Sequence, residues 1–188
     1  FPSVLSGLGS FIGIWLLTHQ LFKNKKIAYI ASFTYFILPF TFLYDRMMLA
    51  DSMLAMWGIW SLYLALRLLE KPSLKLSIIL GIVYGLGLLT KSPSLFYWAL
   101  APVVLLLLKN TKANNSFDFN DIFVWKWSKE DQNRLLKWIG YWGVSVVIGQ
   151  MVLGVLRLSN MYHMIGRKNL EFVVTSQEFL ERPFSMLY

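Results

Sequence analysis

Residues Leu76–Leu108 read LSIILGIVYGLGLLTKSPSLFYWALAPVVLLLL, and a single charge, Lys91, interrupts the run. One membrane helix needs roughly 20 apolar residues, with a working range of about 17–25. This run is too long for one helix and just long enough for two. A lysine at the bilayer midplane is costly, and proline is tolerated best in the first turn of a helix. Thr90–Pro93 therefore reads as a tight turn at a membrane face, between one helix over Leu76–Thr90 and a second over Ser92–Leu108.

The same charge-free pattern recurs outward from this hairpin, over Val4–Phe22, Ile27–Tyr44, Ser52–Leu69 and Trp138–Leu156. Arg67 lies near the end of its stretch, where its long side chain can reach the interface. Backbone in lipid must satisfy its own hydrogen bonds, so these stretches predict helices. The expected fold is all-α, a polytopic transmembrane helical bundle of about six spans. Composition agrees: 56% of the residues are hydrophobic and 15% charged, against about a quarter charged in a soluble domain. The mean hydropathy is +0.53.

Glycines at four-residue spacing, Gly9 with Gly13 and Gly81 with Gly85, fall on one helix face, where a neighbouring helix can come close. Two segments are not spans. Residues 109–137 turn from polar to aromatic, with Trp125 and Trp127 suited to the headgroup zone, and read as an interfacial loop. Ser128 with Asp131 resembles a capping box that opens the last helix. The organisation is thus a membrane region over 1–157 and a truncated outer loop over 158–188. The chain starts on Phe1 with no basic segment before its first apolar run. It reads as a fragment cut at both ends, expected to be inactive alone.

With alternating loops, twelve of the 18 basic residues fall on one side, and Arg46, Lys91, Arg157, Arg167, Lys168 and Arg182 on the other. The richer side is expected to be cytoplasmic. This distribution accounts for the net charge of +8, and nucleic acid is not needed as a partner. The Asn114-Asn115-Ser116 sequon then lies inside and should carry no glycan. There is no cysteine, and a count of two histidines argues against a histidine-rich metal site.

The outer side holds the candidate chemistry. Arg46, Asp51 and Lys91 sit in very short turns at the mouth of the bundle, where ionisable groups are expensive. Arg46 can grip a phosphate through two parallel hydrogen bonds, and Lys91 adds a mobile point charge. Asp51 is an acceptor-only carboxylate, able to orient an acceptor, act as a base or hold a divalent cation. The bland alternatives are an Arg46–Asp51 ion pair stitching two helix ends together and a lysine that only anchors its helix. Asp45 beside Arg46 can simply balance it; His163 is a solvated loop residue and His19 an interface residue. No cofactor is called for, no metal site is assigned, and the divalent cation stays open.

Two stretches carry a resemblance. Arg46-Met-Met-Leu-Ala-Asp51-Ser52-Met-Leu54 resembles the Arg-x-x-Leu-x-Asp-Ser-x-Leu stretch of protein O-mannosyltransferases, and is similar to the looser Arg…Asp turn of bacterial aminoarabinose transferases. Gly85-Leu-Gly-Leu-Leu-Thr90-Lys91-Ser-Pro93 resembles the Gly-Leu-x-x-Leu-Thr-Lys-Gly-Pro stretch of that bacterial branch. Pro2-Ser3, then Leu21-Phe22 and a basic turn, fit the branch's second span. Together these are the GT-C fold membrane glycosyltransferases. The resemblance covers residue 1 to about 110, with topology alone beyond. It departs at Ser92, usually glycine, and at Asp45, more often Ser or Gln.

The resemblance implies a glycosyltransferase that takes a sugar from a polyprenyl-phosphate-linked donor to an acceptor lipid, glycan or protein. The transfer would occur at the outer face of the plasma membrane and invert the anomeric centre. It implies that Arg46 and Lys91 face the donor phosphate and that Asp51 is the second acidic, catalytic residue. The family's principal carboxylate, in its first outer loop, lies upstream of this sequence. A transporter or lipid flippase is the competing class, although its polar residues belong within the spans near the midplane. A non-catalytic scaffold subunit is the third reading.

Overall fold

Helix α1 (Pro2–Phe22) ends where Lys23 turns into the left-handed region at φ 52, its N–H bonded to His19 O at 2.9 Å. Asn24 then caps α2 (Lys25–Ile37), its side-chain oxygen accepting from the Lys26 N–H at 2.9 Å. α3 spans Ala50–Glu70. After a Lys71-Pro72 break, Ser73 caps α4 (Leu74–Thr90), accepting from Leu76 N–H at 3.3 Å. A 3-10 turn, Ser92–Leu95, leads into helical residues 96–102. α5 covers Lys129–Gly154, and a 3-10 turn at Val155–Leu158 ends the described chain. These elements come from a computed structural model that describes residues 2–39, 41, 50–102 and 129–159. The chain divides into two units, Phe1–Leu153 and Gly154–Tyr188, and the helix packing and the charged mouth belong to the first.

The fold is all-α, and no strand occurs among the described residues. Three of the described helices are long and apolar enough to cross a membrane: Pro2–Phe22, Ala50–Glu70 and Leu136–Leu158. Leu74–Thr90, at 17 residues, sits at the lower limit of spanning length. The second apolar stretch departs from the sequence expectation of one run over Ile27–Tyr44. Its helix stops at Leu38, whose ψ of 121° is extended, because Pro39 follows and proline drives its predecessor out of the helical region.

Burial differs from that of a soluble protein: small polar residues join the apolar core, and many large apolar residues lie exposed. Among the described residues, the buried polar set is nine serines and Gln20, whereas Leu5, Ile30, Ile37, Phe96 and Met151 are exposed. Small residues packed between helices and large apolar ones left exposed are what a bilayer solvent allows, since lipid tails are as apolar as leucine. Four of the serines avoid a desolvation cost by bonding back one turn: Ser6 to Pro2 O, Ser32 to Ala28 O, Ser77 to Ser73 O and Ser145 to Tyr141 O, each at 2.9–3.1 Å.

Both glycine pairs mark close helix contacts. A Cβ on Gly13 would lie 2.8 Å from Ile59 on α3, and Trp60 Nε1 donates to Gly9 O at 3.1 Å. A Cβ on Gly81 would meet Ser145 O at 2.7 Å, and one on Gly85 would collide with Val152. The advancing pairs, 9 with 56 and 13 with 59, then 81 with 148 and 85 with 152, make α1 parallel to α3 and α4 parallel to α5. Phe11 against Phe33 and Phe36, with Trp15 against Tyr29, makes α2 antiparallel to α1. Between α3, α4 and α5 lies the main buried cluster, around Leu64, Leu68, Leu80, Tyr84, Ala101 and Trp138.

Candidate functional site

The first turn of α3 and the residue that follows α4 meet at one end of the bundle. Asp51 occupies the helix start, where a carboxylate is favoured by the exposed N–H groups. Lys91 is the residue after α4, with φ −162° and ψ 138°, and its backbone N–H still bonds Gly87 O at 3.0 Å. Extended backbone at Lys91 lets the side chain cross to α3. Lys91 Nζ donates to Asp51 Oδ1 at 2.7 Å, a charge-assisted contact with side chains 48% and 43% exposed.

Two hydrogen bonds fix the frame of this pair from both sides. Trp57 Nε1–H donates to Thr90 Oγ1 at 3.1 Å, and the Thr90 hydroxyl donates to Leu86 O at 2.8 Å. The Tyr97 hydroxyl donates to Leu54 O at 2.9 Å, and its ring lies on Gly58, where a Cβ would come within 2.8 Å of it. Thr90 and Tyr97 flank Lys91 in the chain, and Leu54 and Trp57 follow Asp51 by one and two turns of α3. Ser94, 1% exposed, packs its Cβ where a Cβ on Gly87 would be only 3.2 Å away, so the 3-10 turn folds tightly onto α4.

The opposite end of α3 carries a second pair, Lys23 Nζ to Glu70 Oε1 at 3.5 Å. From Asp51 to Glu70 the helix rises roughly 29 Å at 1.5 Å per residue. That matches the hydrocarbon thickness of about 30 Å, so the two ion pairs bracket an apolar slab. Near the Glu70 end, the Arg67 guanidinium lies 5.8 Å from the Tyr63 ring centroid.

Of the three sequence candidates, Asp51 and Lys91 are in direct contact, and Arg46 lies outside the described residues, as do Asp45 and His163. His19 stacks on Trp15, centroids 5.3 Å apart, as part of the α1 surface. Among the described residues, no group of three His, Cys, Asp or Glu could hold a metal ion. Sequence reasoning assigned no part to Trp57 or Tyr97, and placed Thr90 in the turn without giving its hydroxyl a partner. The signal was faint: an aromatic with a polar tip six residues after Asp51, and another six after Lys91, at a depth where Trp and Tyr are common for other reasons.

A helical membrane protein with a charged mouth is the class that this architecture defines. Residues 1–119 match the family model described as dolichyl-phosphate-mannose-protein mannosyltransferase, and the chain belongs to that family. It is also similar to the undecaprenyl phosphate-alpha-4-amino-4-deoxy-L-arabinose arabinosyl transferase 2 of Proteus mirabilis (strain HI4320), 29% identical over 121 residues. That alignment covers 62% of this chain and 21% of the relative, so the chain spans about a fifth of the relative's length. No solved structure matches the chain.

Proposed function

We propose that the full protein is a glycosyltransferase that moves a sugar from a polyprenyl-phosphate-linked donor to an acceptor at the outer face of the plasma membrane. The observation that carries this reading is the Asp51–Lys91 pair, a cation and a carboxylate brought to one mouth within the segment that matches the family. The relative's name supplies a donor of the same class, an undecaprenyl-phosphate sugar. In this reading the donor's chain stays in lipid while its headgroup enters the mouth. An acceptor nucleophile attacks the anomeric carbon as the bond to the phosphate oxygen breaks, and the phosphate leaves with the electron pair. Lys91, together with Arg46, stabilises the charge that grows on that phosphate. Asp51 supplies a carboxylate to the acceptor side and takes up the proton that the nucleophile loses, and inversion follows from a single displacement. The basic residues concentrated at the other end of the spans support placing this mouth outside.

The test is sugar transfer by the purified full-length protein, with a polyprenyl-phosphate sugar as donor. Lys91→Gln should lower transfer by roughly 10- to 100-fold. Lys91→Arg should retain much of the rate. Undiminished transfer by folded Lys91→Gln protein would remove the lysine from the donor site.

A further inference from the structure

We propose that Asp51 is the positioning residue of the Lys91 ammonium: it holds the cation across the mouth and yields it when a lipid phosphate arrives. The inference rests on the donor-site reading above and adds an exchange of partners to it. Its basis is geometric. Lys91 carries a flexible four-carbon stem on extended backbone, so its ammonium could occupy many places in water. It lies instead 2.7 Å from Asp51 Oδ1, while the backbones behind the two residues are pinned by Trp57 to Thr90 and by Tyr97 to Leu54 O. These bonds tie the two backbones together, and the ion pair itself joins two partly exposed side-chain tips.

The exposures set the strength of the latch. Each side chain is a little under half exposed, so the pair is screened by water and its net worth is small. A buried pair would resist separation; this one can be parted by a competing anion. A lipid phosphate is such a competitor: its negative charge lies on non-bridging oxygens that the same ammonium can reach, and in the donor-site reading Arg46 gives it a second cation. When Lys91 turns to it, Asp51 is left without that partner and becomes available to the acceptor. Donor binding and the freeing of the carboxylate are then one event, and the mouth presents no unpaired Asp51 before the donor is seated.

The exchange has a sign that a purely supporting role lacks. Full-length protein in lipid nanodiscs is titrated with undecaprenyl phosphate, with no sugar attached, and monodispersity by gel filtration confirms folding. Asp51→Asn removes the competitor and should tighten binding by about two- to five-fold, the equivalent of a screened ion pair. Asp51→Glu keeps a competing carboxylate and should return the affinity to the wild-type value. Relief of simple charge repulsion could also tighten binding, and a double-mutant cycle separates the two. In a Lys91→Gln background, the gain from Asp51→Asn should vanish. An equal gain in that background, or weaker binding in Asp51→Asn alone, would overturn the exchange while leaving the donor site standing. Wild-type affinity in Lys91→Gln would overturn the donor-site reading itself. A gain seen for inorganic phosphate and not for the lipid would overturn the assignment to a lipid phosphate.

Discussion

Asp51 Oδ1 and Lys91 Nζ, forty residues apart in the chain, lie 2.7 Å apart at the mouth of the helix bundle. The contact joins the start of α3 to the end of α4, and each side chain is a little under half exposed. Its contribution to folding is therefore small. Asp51→Asn or Lys91→Gln should each cost about 1 kcal/mol or less in stability. Unfolding of the detergent-solubilised protein checks this; a loss above about 3 kcal/mol would mean that the pair is structural rather than functional.

Arg46→Ala in the full-length protein is expected to reduce sugar transfer by about 2–4 kcal/mol of transition-state stabilisation, or roughly 30- to 1,000-fold in rate. Arg46→Lys should restore only part of it, because lysine lacks the planar fork that grips two phosphate oxygens. Steady-state rates on folded protein decide the matter, and an unchanged rate in Arg46→Ala would leave that arginine without a role at the donor.

The glycines divide into two groups that should respond oppositely. Gly81→Ala places a methyl 2.7 Å from Ser145 O and against Ile148, and Gly85→Ala meets Val152. Each should destabilise the α4–α5 contact by about 1–3 kcal/mol, the usual range for overpacking. Gly140→Ala and Gly143→Ala meet nothing within 4 Å. They should be neutral or slightly stabilising, since alanine favours helix over glycine by about 1 kcal/mol. Thermal melts of the four variants side by side test the contrast.

Trp57→Phe and Tyr97→Phe keep an aromatic ring and remove one interhelical hydrogen bond each. Such bonds between membrane helices average about 0.6 kcal/mol, so folding should change little. Transfer should fall further than stability does, because both bonds lie behind Lys91 and Asp51. Equal, small effects on both measurements would reduce these residues to packing.

The absence of native cysteine makes single-cysteine labelling clean. Asn24→Cys and Ser92→Cys each place a thiol on an exposed residue at opposite ends of the bundle. In intact cells, an impermeant maleimide should label position 92 and spare position 24. The reverse pattern would invert the topology and move the mouth to the cytoplasm.

Helical character, the tight turn at Lys91 and the expectation that Asp51 and Lys91 share one end of the bundle were legible along the chain. So was the close approach at Gly81 and Gly85, from their spacing alone. Three features were not. Pro39 ends α2 at Leu38 inside what reads as one apolar run. The buried faces are serine-lined, as Ser3, Ser6 and Ser10 show on α1, which hydropathy scores as weakness. Trp57 reaches Thr90 across two helices, although nothing in either residue's neighbourhood announces it.

The division has a physical cause. A backbone in lipid must close its hydrogen bonds within about four residues, so helix formation and span length are local properties that residues 76–108 already determine. Which helices then lie side by side is not local. Apolar side chains gain nothing from each other that lipid does not offer, and lateral choice falls to small-residue contacts and a few polar tips. The sequence by itself therefore settled an all-α membrane chain with charges at its ends. Only the tertiary structure decided that α4 lies against α5 through Gly81, Gly85 and Gly149, and that the ammonium of Lys91 rests on the carboxylate of Asp51.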